Sequence, residues 1–314
     1  MSKITVFIPT YNRAELLAEC LDAIAAQTLE REHFSVLVSD NASTDGTRDV
    51  VESYRNRMEI VHWQSPENLG GPVNWNKFSL ALNETFACIV SDDDLMAPGF
   101  LHQARRALLD YPQAAMFCAG TLYSGLKHTG CYKVADQSHI VGSENGRNAA
   151  SLVNSVRWAA ISTAICPMII IGTLFRSSAL AQFSPIFDPN ITYPDWWTLA
   201  RIGATQPVVV SPWPLALMRL HGNNGTMRPS VNAHLQIGAL ALGQCEALNI
   251  DVVAFWAELE RAGQFDDALR QGVFNCYPHA LRKTILGNWR PRQGKLDSIP
   301  MPEKIGRASC REEC

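Results

Sequence analysis

The amino-acid sequence predicts an α/β protein in which helices flank a mostly parallel sheet and a helical extension follows. Two observations support this fold class. Within the first 120 residues, apolar strands alternate with amphipathic helices, a pattern typical of a parallel sheet covered on both faces. After residue 228, the apolar residues recur at helical spacing throughout. We therefore expect a first domain over residues 1–228 and a helical region over residues 229–304.

Five strands and four helices are predicted to alternate in the first part of the chain. The first helix is the clearest, because its apolar residues recur every three or four positions. The fourth helix has Pro98 near its first turn, where proline is well tolerated. The predicted strands cover residues 3–9, 34–40, 59–64, 86–92 and 113–120, and the predicted helices cover residues 13–27, 43–57, 68–84 and 98–111.

The middle of the chain shows a weaker pattern. The weaker pattern covers residues 121–165; within it, residues 123–148 are rich in glycine and polar side chains, so we expect loop and irregular structure in that segment. Beyond them the sequence predicts a strand entering a helix over 167–183, a helix over 193–203 and a strand over 207–211. The last ten residues, 305–314, resemble a translated sequencing-adapter read-through. We interpret them as a non-native tail and leave them out of the fold prediction.

Composition narrows the classes of function. The formal net charge is −3, which gives no general affinity for nucleic acid or an anionic membrane. The nine cysteines include no CxxC pair, so neither a zinc site nor a disulfide framework is indicated. With no signal-peptide pattern and no apolar stretch of transmembrane length, we expect a cytoplasmic protein. The C-terminal helices leave open a peripheral contact with the inner face of the membrane or a homodimer.

Three polar clusters follow predicted strands: Thr10–Arg13, Asp40–Asp45 and Asp92–Asp94. In open α/β sheets, ligands bind outside the carboxyl ends of the strands. The acidic cluster needs a compensating partner, because two carboxylates about 4 Å apart repel by roughly 4 kcal/mol at an effective dielectric constant of about 20. Mg²⁺ or Mn²⁺ held by one or two carboxylates and by phosphate oxygens would supply that partner. The alternative is a solvated acidic turn at the start of a helix, which the helix dipole favours.

Glycine-rich phosphate loops do not explain this pattern. The first strand ends in "PTYNR" and is not followed by G-x-G-x-x-G, and the chain has no G-x-x-x-x-G-K-[ST] segment. A sugar nucleotidyltransferase usually carries a glycine-rich loop after its first strand, so that class remains an alternative without its expected motif. A non-catalytic module that binds sugars or nucleotides is a second alternative.

Four segments, in order, resemble the family 2 glycosyltransferases, whose Rossmann-like glycosyltransferase A fold is therefore the expected architecture. They are "VFIPTYNRAELLAECLDAIAAQT", "VLVSDNASTDGTRDVV", "ENLGG" and "VSDDDLMAPGFL". The resemblance implies that residues 1–228 bind a nucleotide sugar and catalyse transfer. It places Pro9, Thr10 and Tyr11 at the base and ribose, Asp40 at a pyrimidine imide N–H, and Asp92 at the ribose. Asp93 or Asp94 would ligate the metal, and Arg13, Asn68 and Lys77 would complete the nucleotide-sugar site.

The resemblance also implies an inverting reaction with one general base. Asp195 in "YPDWW" occupies the position of that base, and Asp188 is the next candidate. A structural alternative for Asp195 is stabilisation of a helix start. His221 would approach the metal or the diphosphate, and Arg219 would either aid the diphosphate or form an ion pair.

One departure from the family pattern concerns phosphate binding. Many relatives carry an arginine beside an asparagine after "NLGG", whereas this chain has Trp75, Asn76 and Lys77. Lys77 would have to replace the arginine as a point charge. Among the tryptophans that are candidates for stacking on sugars, we expect Trp197 and Trp213 to pack in the core instead.

The sequence thus predicts a metal-dependent, inverting glycosyltransferase that uses Mg²⁺ or Mn²⁺. The expected donor is a nucleoside-diphosphate sugar of the UDP or dTDP type. The resemblance implies a glycan or lipid-linked acceptor and a place in cell-surface polysaccharide or glycolipid assembly.

Overall fold

A ten-stranded mixed sheet forms the centre of the protein. The computed structural model describes residues 2–125, 131–134, 150–166, 168–220 and 231–290. The strand order is β3-β2-β1-β4-β9-β6-β10-β5, with β7 paired to β6 and β8 paired to β10. The strands are β1 (Ile4–Thr10), β2 (Phe34–Asp40), β3 (Ile60–Gln64), β4 (Phe86–Ile89), β5 (Leu95–Met96), β6 (Met116–Gly125), β7 (Cys131–Val134), β8 (Ser151–Val153), β9 (Thr173–Arg176) and β10 (Val208–Leu220).

The first four strands form a parallel half of the sheet. β1 lies between β2 and β4, and β3 extends the sheet beyond β2. Every residue of β1 is buried, as expected of a central strand with helices on both faces. The register pairs Thr10 with Asp40, so β1 and β2 end at the same edge. The acidic turn that follows β4 lies at this edge as well.

The second half of the sheet is mixed, which the sequence pattern did not specify. β9 runs antiparallel to both of its neighbours, β4 and β6. The long strand β10 runs parallel to β6 and antiparallel to the two-residue strand β5. Because Leu217 pairs with Leu95, β10 carries Met218 and Arg219 to the acidic turn just before β5.

Eleven helices are described, and the helical C-terminal extension is confirmed. They are α1 (Ala14–Ala25), α2 (Thr47–Ser53), α3 (Gly71–Asn76), α4 (Phe100–Asp110), α5 (Ser155–Ser162), α6 (Ser177–Leu180), α7 (Pro194–Thr205), α8 (Val231–Ala247), α9 (Val252–Arg261), α10 (Asp267–Cys276) and α11 (His279–Leu286). Short 3-10 helices cover Arg31–His33, Lys77–Asn83 and Ile170–Gly172. The predicted apolar face of α1 is buried through Leu17, Cys20, Leu21 and Ile24.

The C-terminal helices do not stand apart from the sheet domain. Their buried side chains, among them Trp256 and Tyr277, share one apolar cluster with Ile161 of α5 and Trp196 of α7. The Trp256 indole N–H donates to the Tyr277 hydroxyl at 2.8 Å, and this hydroxyl also bonds Thr163. The division into domains at residue 228 stays a prediction.

Two expectations were wrong. The segment 123–148 was expected to be irregular, but residues 123–125 belong to β6 and residues 131–134 form β7. No element was predicted over residues 151–162, which form β8 and α5. Asn154 caps α5 by accepting a hydrogen bond from the Arg157 backbone N–H at 2.9 Å, and Trp158 is completely buried. Trp213 does not pack in the core, because 51% of it is exposed.

The proposed non-native tail, residues 305–314, lies outside the described residues.

Within the described ranges, no single helix has the length and apolar character needed to cross a membrane. α8 and α9 meet that criterion only when taken together, and a bend of 99° separates them.

Candidate active site

A cavity of about 950 Å³ opens at the carboxyl ends of the parallel strands. Most of its lining residues come from two parts of the chain, and residues 169–171 and Met218 add to them. The first part, which we call the donor side, comprises the ends of β1, β2 and β4 with the loop before α3. The second part, the acceptor side, comprises residues 187–195, which lead into α7. The sequence-predicted site residues that line the cavity are Pro9, Thr10, Tyr11, Arg13, Asn68, Asp92, Asp93, Asp94 and Asp195.

Asp92 lies at the base of the donor side. The Thr10 hydroxyl donates to Asp92 Oδ2 at 2.7 Å, and Arg13 Nη1 donates to Asp92 Oδ1 at 2.9 Å. Burial raises the pKa of the Asp92 carboxyl, while the Arg13 charge and the Thr10 hydrogen bond oppose the shift. The end of β1 therefore supplies both groups that compensate this carboxylate.

Arg13 joins two members of the acidic triplet. The same Nη1 atom also donates to Asp93 Oδ2 at 2.9 Å. Burial alone would lower the pKa of Arg13, but the charges and hydrogen bonds of Asp92 and Asp93 outweigh burial, so the pKa is raised. A guanidinium thus lies between two of the three carboxylates, where the sequence predicted a need for positive charge.

Asp94 is held by the backbone of β10. Its Oδ1 accepts a hydrogen bond from the Arg219 backbone N–H at 2.9 Å. Burial, followed by the charge of Asp93, raises the pKa of the Asp94 carboxyl to about 8. Asp94 turns toward β10, whereas Asp92 and Asp93 meet at Arg13.

Arg219 supports the acidic turn from behind. Its side chain is completely buried, donates from Nε to the Asp93 backbone carbonyl, and pairs through Nη1 with Glu19 of α1. Arg219 does not line the cavity, so the structure shows the ion-pair alternative. Glu19 was missed by the sequence analysis, because nothing local connects it to a residue 200 positions away.

Two predicted residues lie behind the cavity wall. Asp40 is completely buried; its Oδ1 accepts from the Ser43 backbone N–H at 2.8 Å, and His62 Nε2 lies 3.1 Å from its Oδ2. Lys77 donates to the Ser65 hydroxyl at 2.6 Å and lies 3.8 Å from the centre of the Trp63 ring. Neither Asp40 nor Lys77 lines the cavity. Their roles in donor binding stay predictions.

Asn41 lines the cavity beside Asn68 and was missed by the sequence analysis. Its Nδ2 donates to Asn68 Oδ1 at 2.7 Å, and its Oδ1 accepts from the Leu69 backbone N–H at 3.0 Å. Asn68 Oδ1 also accepts from the Gly70 N–H at 2.9 Å. Gly70 has φ of +83°, a conformation that glycine adopts without steric cost. The asparagine pair therefore fixes the loop that enters α3.

Asp195 stands in the first turn of α7, after Pro194. Burial raises the pKa of its carboxyl, while the backbone N–H groups of Trp196 and of Asp195 itself lower it. Asp188 also lines the cavity and accepts a hydrogen bond from the Asn190 backbone N–H at 2.9 Å. Both candidates for the general base are therefore at the cavity. His221 lies outside the described residues.

The apolar remainder of the wall lies mostly near the acceptor side. Trp75, Ile170, Phe187 and Met218 contribute to it, and the Trp75 ring meets the Phe187 ring edge-on at 5.4 Å. Carboxylates beside apolar surface experience a lower effective dielectric constant than in water, which strengthens their electrostatic interactions.

The fold is that of known glycosyltransferases. The structure of S. aureus TarS residues 1–349 in complex with UDP-GlcNAc matches with a TM-score of 0.59 at 20% identity, over 88% of this chain and 82% of that chain. The mannosyltransferase PcManGT from Pyrobaculum calidifontis, in complex with GDP-Man and Mn²⁺, matches with a TM-score of 0.54 at 18% identity, over 87% of this chain and 84% of that chain. The predicted fold class is confirmed.

Residues 5–147 match the sequence model of glycosyl transferase family 2. The chain therefore carries a domain of that family, as its motifs predicted. The acidic triplet and both asparagines of the donor side fall within the matched residues.

Several curated proteins are similar to part of this chain. The poly(ribitol-phosphate) β-N-acetylglucosaminyltransferase TarS of Staphylococcus aureus is 37% identical over 95 residues, 30% of this chain and 17% of TarS. The validoxylamine A glucosyltransferase of Streptomyces hygroscopicus subsp. jinggangensis is 56% identical over 59 residues, 19% of this chain and 14% of that protein. The abequosyltransferase RfbV of Salmonella typhimurium is 35% identical over 96 residues, 30% of this chain and 29% of RfbV. The matched segments span less than a third of each of these relatives.

Proposed function

We propose that this protein is an inverting glycosyltransferase that moves a sugar from a nucleoside-diphosphate donor to an acceptor hydroxyl. One observation carries the proposal: the acidic triplet and Asp195 line a single cavity at the strand ends of a family 2 domain. The cavity volume of about 950 Å³ suits a nucleotide sugar, since ligand pockets commonly measure about 300–1,000 Å³.

The donor occupies the side built from β1, β2 and β4. Pro9, Thr10 and Tyr11 contact the base and the ribose, and Tyr11 is 43% exposed, so its ring is accessible to a base. Asn41 meets the base directly, because Asp40 lies behind it. Asp92 faces the ribose from the end of the apolar strand.

A divalent cation fits the acidic triplet by the chemistry of its atoms. Hard carboxylate oxygens favour Mg²⁺ or Mn²⁺, and burial together with mutual repulsion raises the pKa of Asp94 to about 8. Asp93 and Asp94 would hold the cation, and Arg13 would move away from Asp93 to admit it. When bound, the cation supplies Lewis-acid stabilisation of the negative charge on the departing diphosphate.

Asp195 removes the proton from the acceptor. The acceptor oxygen attacks the anomeric carbon as the bond from that carbon to the diphosphate oxygen breaks, and the diphosphate leaves with the electron pair. The proton passes to the Asp195 carboxylate. Burial raises the pKa of this carboxyl, which makes it a stronger base than an exposed aspartate. A single displacement inverts the anomeric configuration, so one base is sufficient.

The names of the relatives support the class of acceptor. TarS acts on poly(ribitol phosphate) and RfbV transfers abequose, which agrees with a glycan or lipid-linked acceptor in cell-surface polysaccharide assembly. The UDP-GlcNAc complex of TarS supports a UDP- or dTDP-type donor.

A panel of nucleoside-diphosphate sugars with Mn²⁺ tests the proposal. We expect at least one donor to raise the melting temperature, because ligands that bind the native state stabilise it, and to release nucleoside diphosphate when a glycan acceptor is added. Pyrophosphate release from a nucleoside triphosphate would instead indicate a nucleotidyltransferase. Binding of a donor without any release would indicate a non-catalytic module, and both results would contradict the proposal.

A further inference from the structure

The C-terminal helical region reaches the active-site cavity through α8. The segment of residues 188–193 lines the acceptor side and leads directly into the first turn of α7, where Asp195 stands. Two of its residues, Asn190 and Thr192, are exposed, and exposed connecting segments are usually mobile unless something holds them. The contacts of α8 supply that support.

One side chain of α8 bonds two peptide groups of this segment. Gln236 Nε2 donates to the Asn190 backbone carbonyl at 3.1 Å. The Thr192 backbone N–H donates to Gln236 Oε1 at 3.2 Å. A primary amide offers both a donor and an acceptor, so Gln236 replaces the pairing that a neighbouring strand would give.

A second residue of α8 holds the other end of the segment. The His234 ring meets the Tyr193 ring edge-on at 5.5 Å and the Trp196 ring edge-on at 6.0 Å. Tyr193 and Trp196 flank Asp195 in the sequence. Contacts from α8 therefore bracket the candidate base on both sides.

α8 itself is firmly seated, so its contacts can fix a position. Ala233, Ile237, Ala241 and Cys245 of α8 are buried. At Gly238, a Cβ atom would lie 2.1 Å from the Cys276 backbone carbonyl oxygen, so α10 passes directly against the backbone of α8. A side chain larger than hydrogen has no room there.

We propose that Gln236 is a positioning residue that, with His234, sets the acceptor-side segment and thereby the carboxylate of Asp195. The C-terminal helical region is then part of the catalytic unit. This inference rests on the proposed function for its effect on transfer, whereas its structural part stands without that function.

Hydrogen exchange of the whole protein tests the structural part. Gln236→Met removes both hydrogen bonds at similar side-chain length, and we expect the Thr192 amide and its neighbours in 188–195 to exchange faster by about tenfold or more. Gln236→Glu keeps an acceptor for the Thr192 N–H, so we expect it to restore most of the protection of that amide. The matched control is Gln244→Met, because Gln244 also lies on α8 and donates to a backbone carbonyl, that of Arg201, at 3.5 Å. Equal exchange of 188–195 in the Gln236→Met and Gln244→Met proteins would overturn the inference.

Turnover tests the functional part. With a nucleotide sugar that the wild type turns over, we expect Gln236→Met to lower kcat about tenfold and to leave the Kd for UDP within about twofold. The Gln244→Met control should change neither. Faster exchange without any loss of kcat in the Gln236→Met protein would contradict a positioning role. A loss of UDP affinity as large as the loss of kcat would contradict it as well. A wild type that binds no nucleotide and turns over no donor would overturn the proposed function, while the exchange result would still decide the structural part.

Discussion

The two sides of the cavity compensate their carboxylates in different ways. On the donor side, Asp92 and Asp93 share the Arg13 guanidinium, and Asp94 accepts a backbone N–H from Arg219. On the acceptor side, Asp195 faces backbone N–H groups of its own helix turn. Burial raises the pKa of Asp92 and of Asp195, but a cation opposes the shift at Asp92.

This difference indicates two kinds of chemistry in one cavity. The donor-side carboxylates are paired with a guanidinium. Once the guanidinium moves away, these carboxylates are available as ligands for a metal cation, which can in turn bind a polyanion. A buried carboxylate with backbone partners is arranged to exchange a proton. The donor side is therefore set for binding and the acceptor side for proton transfer.

The largest effect is expected at Asp195. Asp195→Asn removes the base with little change in shape, so we expect transfer to fall by about 10²–10⁴-fold with the Kd for nucleoside diphosphate nearly unchanged. Steady-state transfer rates and calorimetric titration measure the two quantities. The matched variant is Asp188→Asn, which should lower the rate of transfer far less. If Asp188→Asn abolished transfer and Asp195→Asn did not, the roles of the two carboxylates would be reversed.

The dependence of transfer on pH gives a second test. The base works only when it is ionised, and burial raises the pKa of Asp195 above its ordinary value. We therefore expect kcat to rise with pH through a midpoint above the usual range for aspartate, near 4, and to level off above it. The profile of kcat from pH 4 to 8 measures that midpoint. A flat profile over this range would mean that Asp195 does not limit the rate as a base.

A smaller effect is expected at Arg13. Arg13→Met leaves Asp92 and Asp93 without their shared cation, and the side chain of Arg13 is 35% exposed, so we expect a loss of roughly 1–2 kcal/mol in the free energy of unfolding. Mn²⁺ should then raise the melting temperature more in this variant than in the wild type. The control is Arg106→Met on α4, whose i,i+4 partner Asp110 lies 3.6 Å away on the exposed surface. Equal melting temperatures for the two variants would show that the guanidinium does not compensate the triplet.

Much of the donor side was predictable from the sequence, because it is built from local patterns in chain order. Strand ends and polar clusters coincide at Thr10, Asp40 and Asp92, and parallel strands bring their carboxyl ends to one edge. The side of the sheet to which each residue points was less clear. Asp40 is the last residue of β2 and Asn41 follows it in the turn, where the alternation of side chains along a strand no longer predicts which way a residue points. Only the structure shows that Asn41 lines the cavity and Asp40 does not.

The support behind the acidic turn and the acceptor side both depend on contacts that leave no local signal. The Arg219–Glu19 pair and the Gln236 contacts with the Asn190–Thr192 segment join residues far apart in the chain. α5 was missed for another reason. Trp158, Ala159, Ala160 and Ile161 are buried in succession, so the helix lacks the single apolar stripe that reveals an amphipathic helix.

The central claim is that binding and proton transfer are assigned to different sides of one cavity. The most direct test is calorimetric titration of UDP, in the presence of Mn²⁺, into the wild type, Asp93→Asn and Asp195→Asn proteins. Donor turnover is measured for the same three proteins. We expect Asp93→Asn to weaken Mn²⁺-dependent binding about tenfold or more and Asp195→Asn to bind normally without turnover. Loss of UDP binding in both variants, or full turnover in both, would contradict the account.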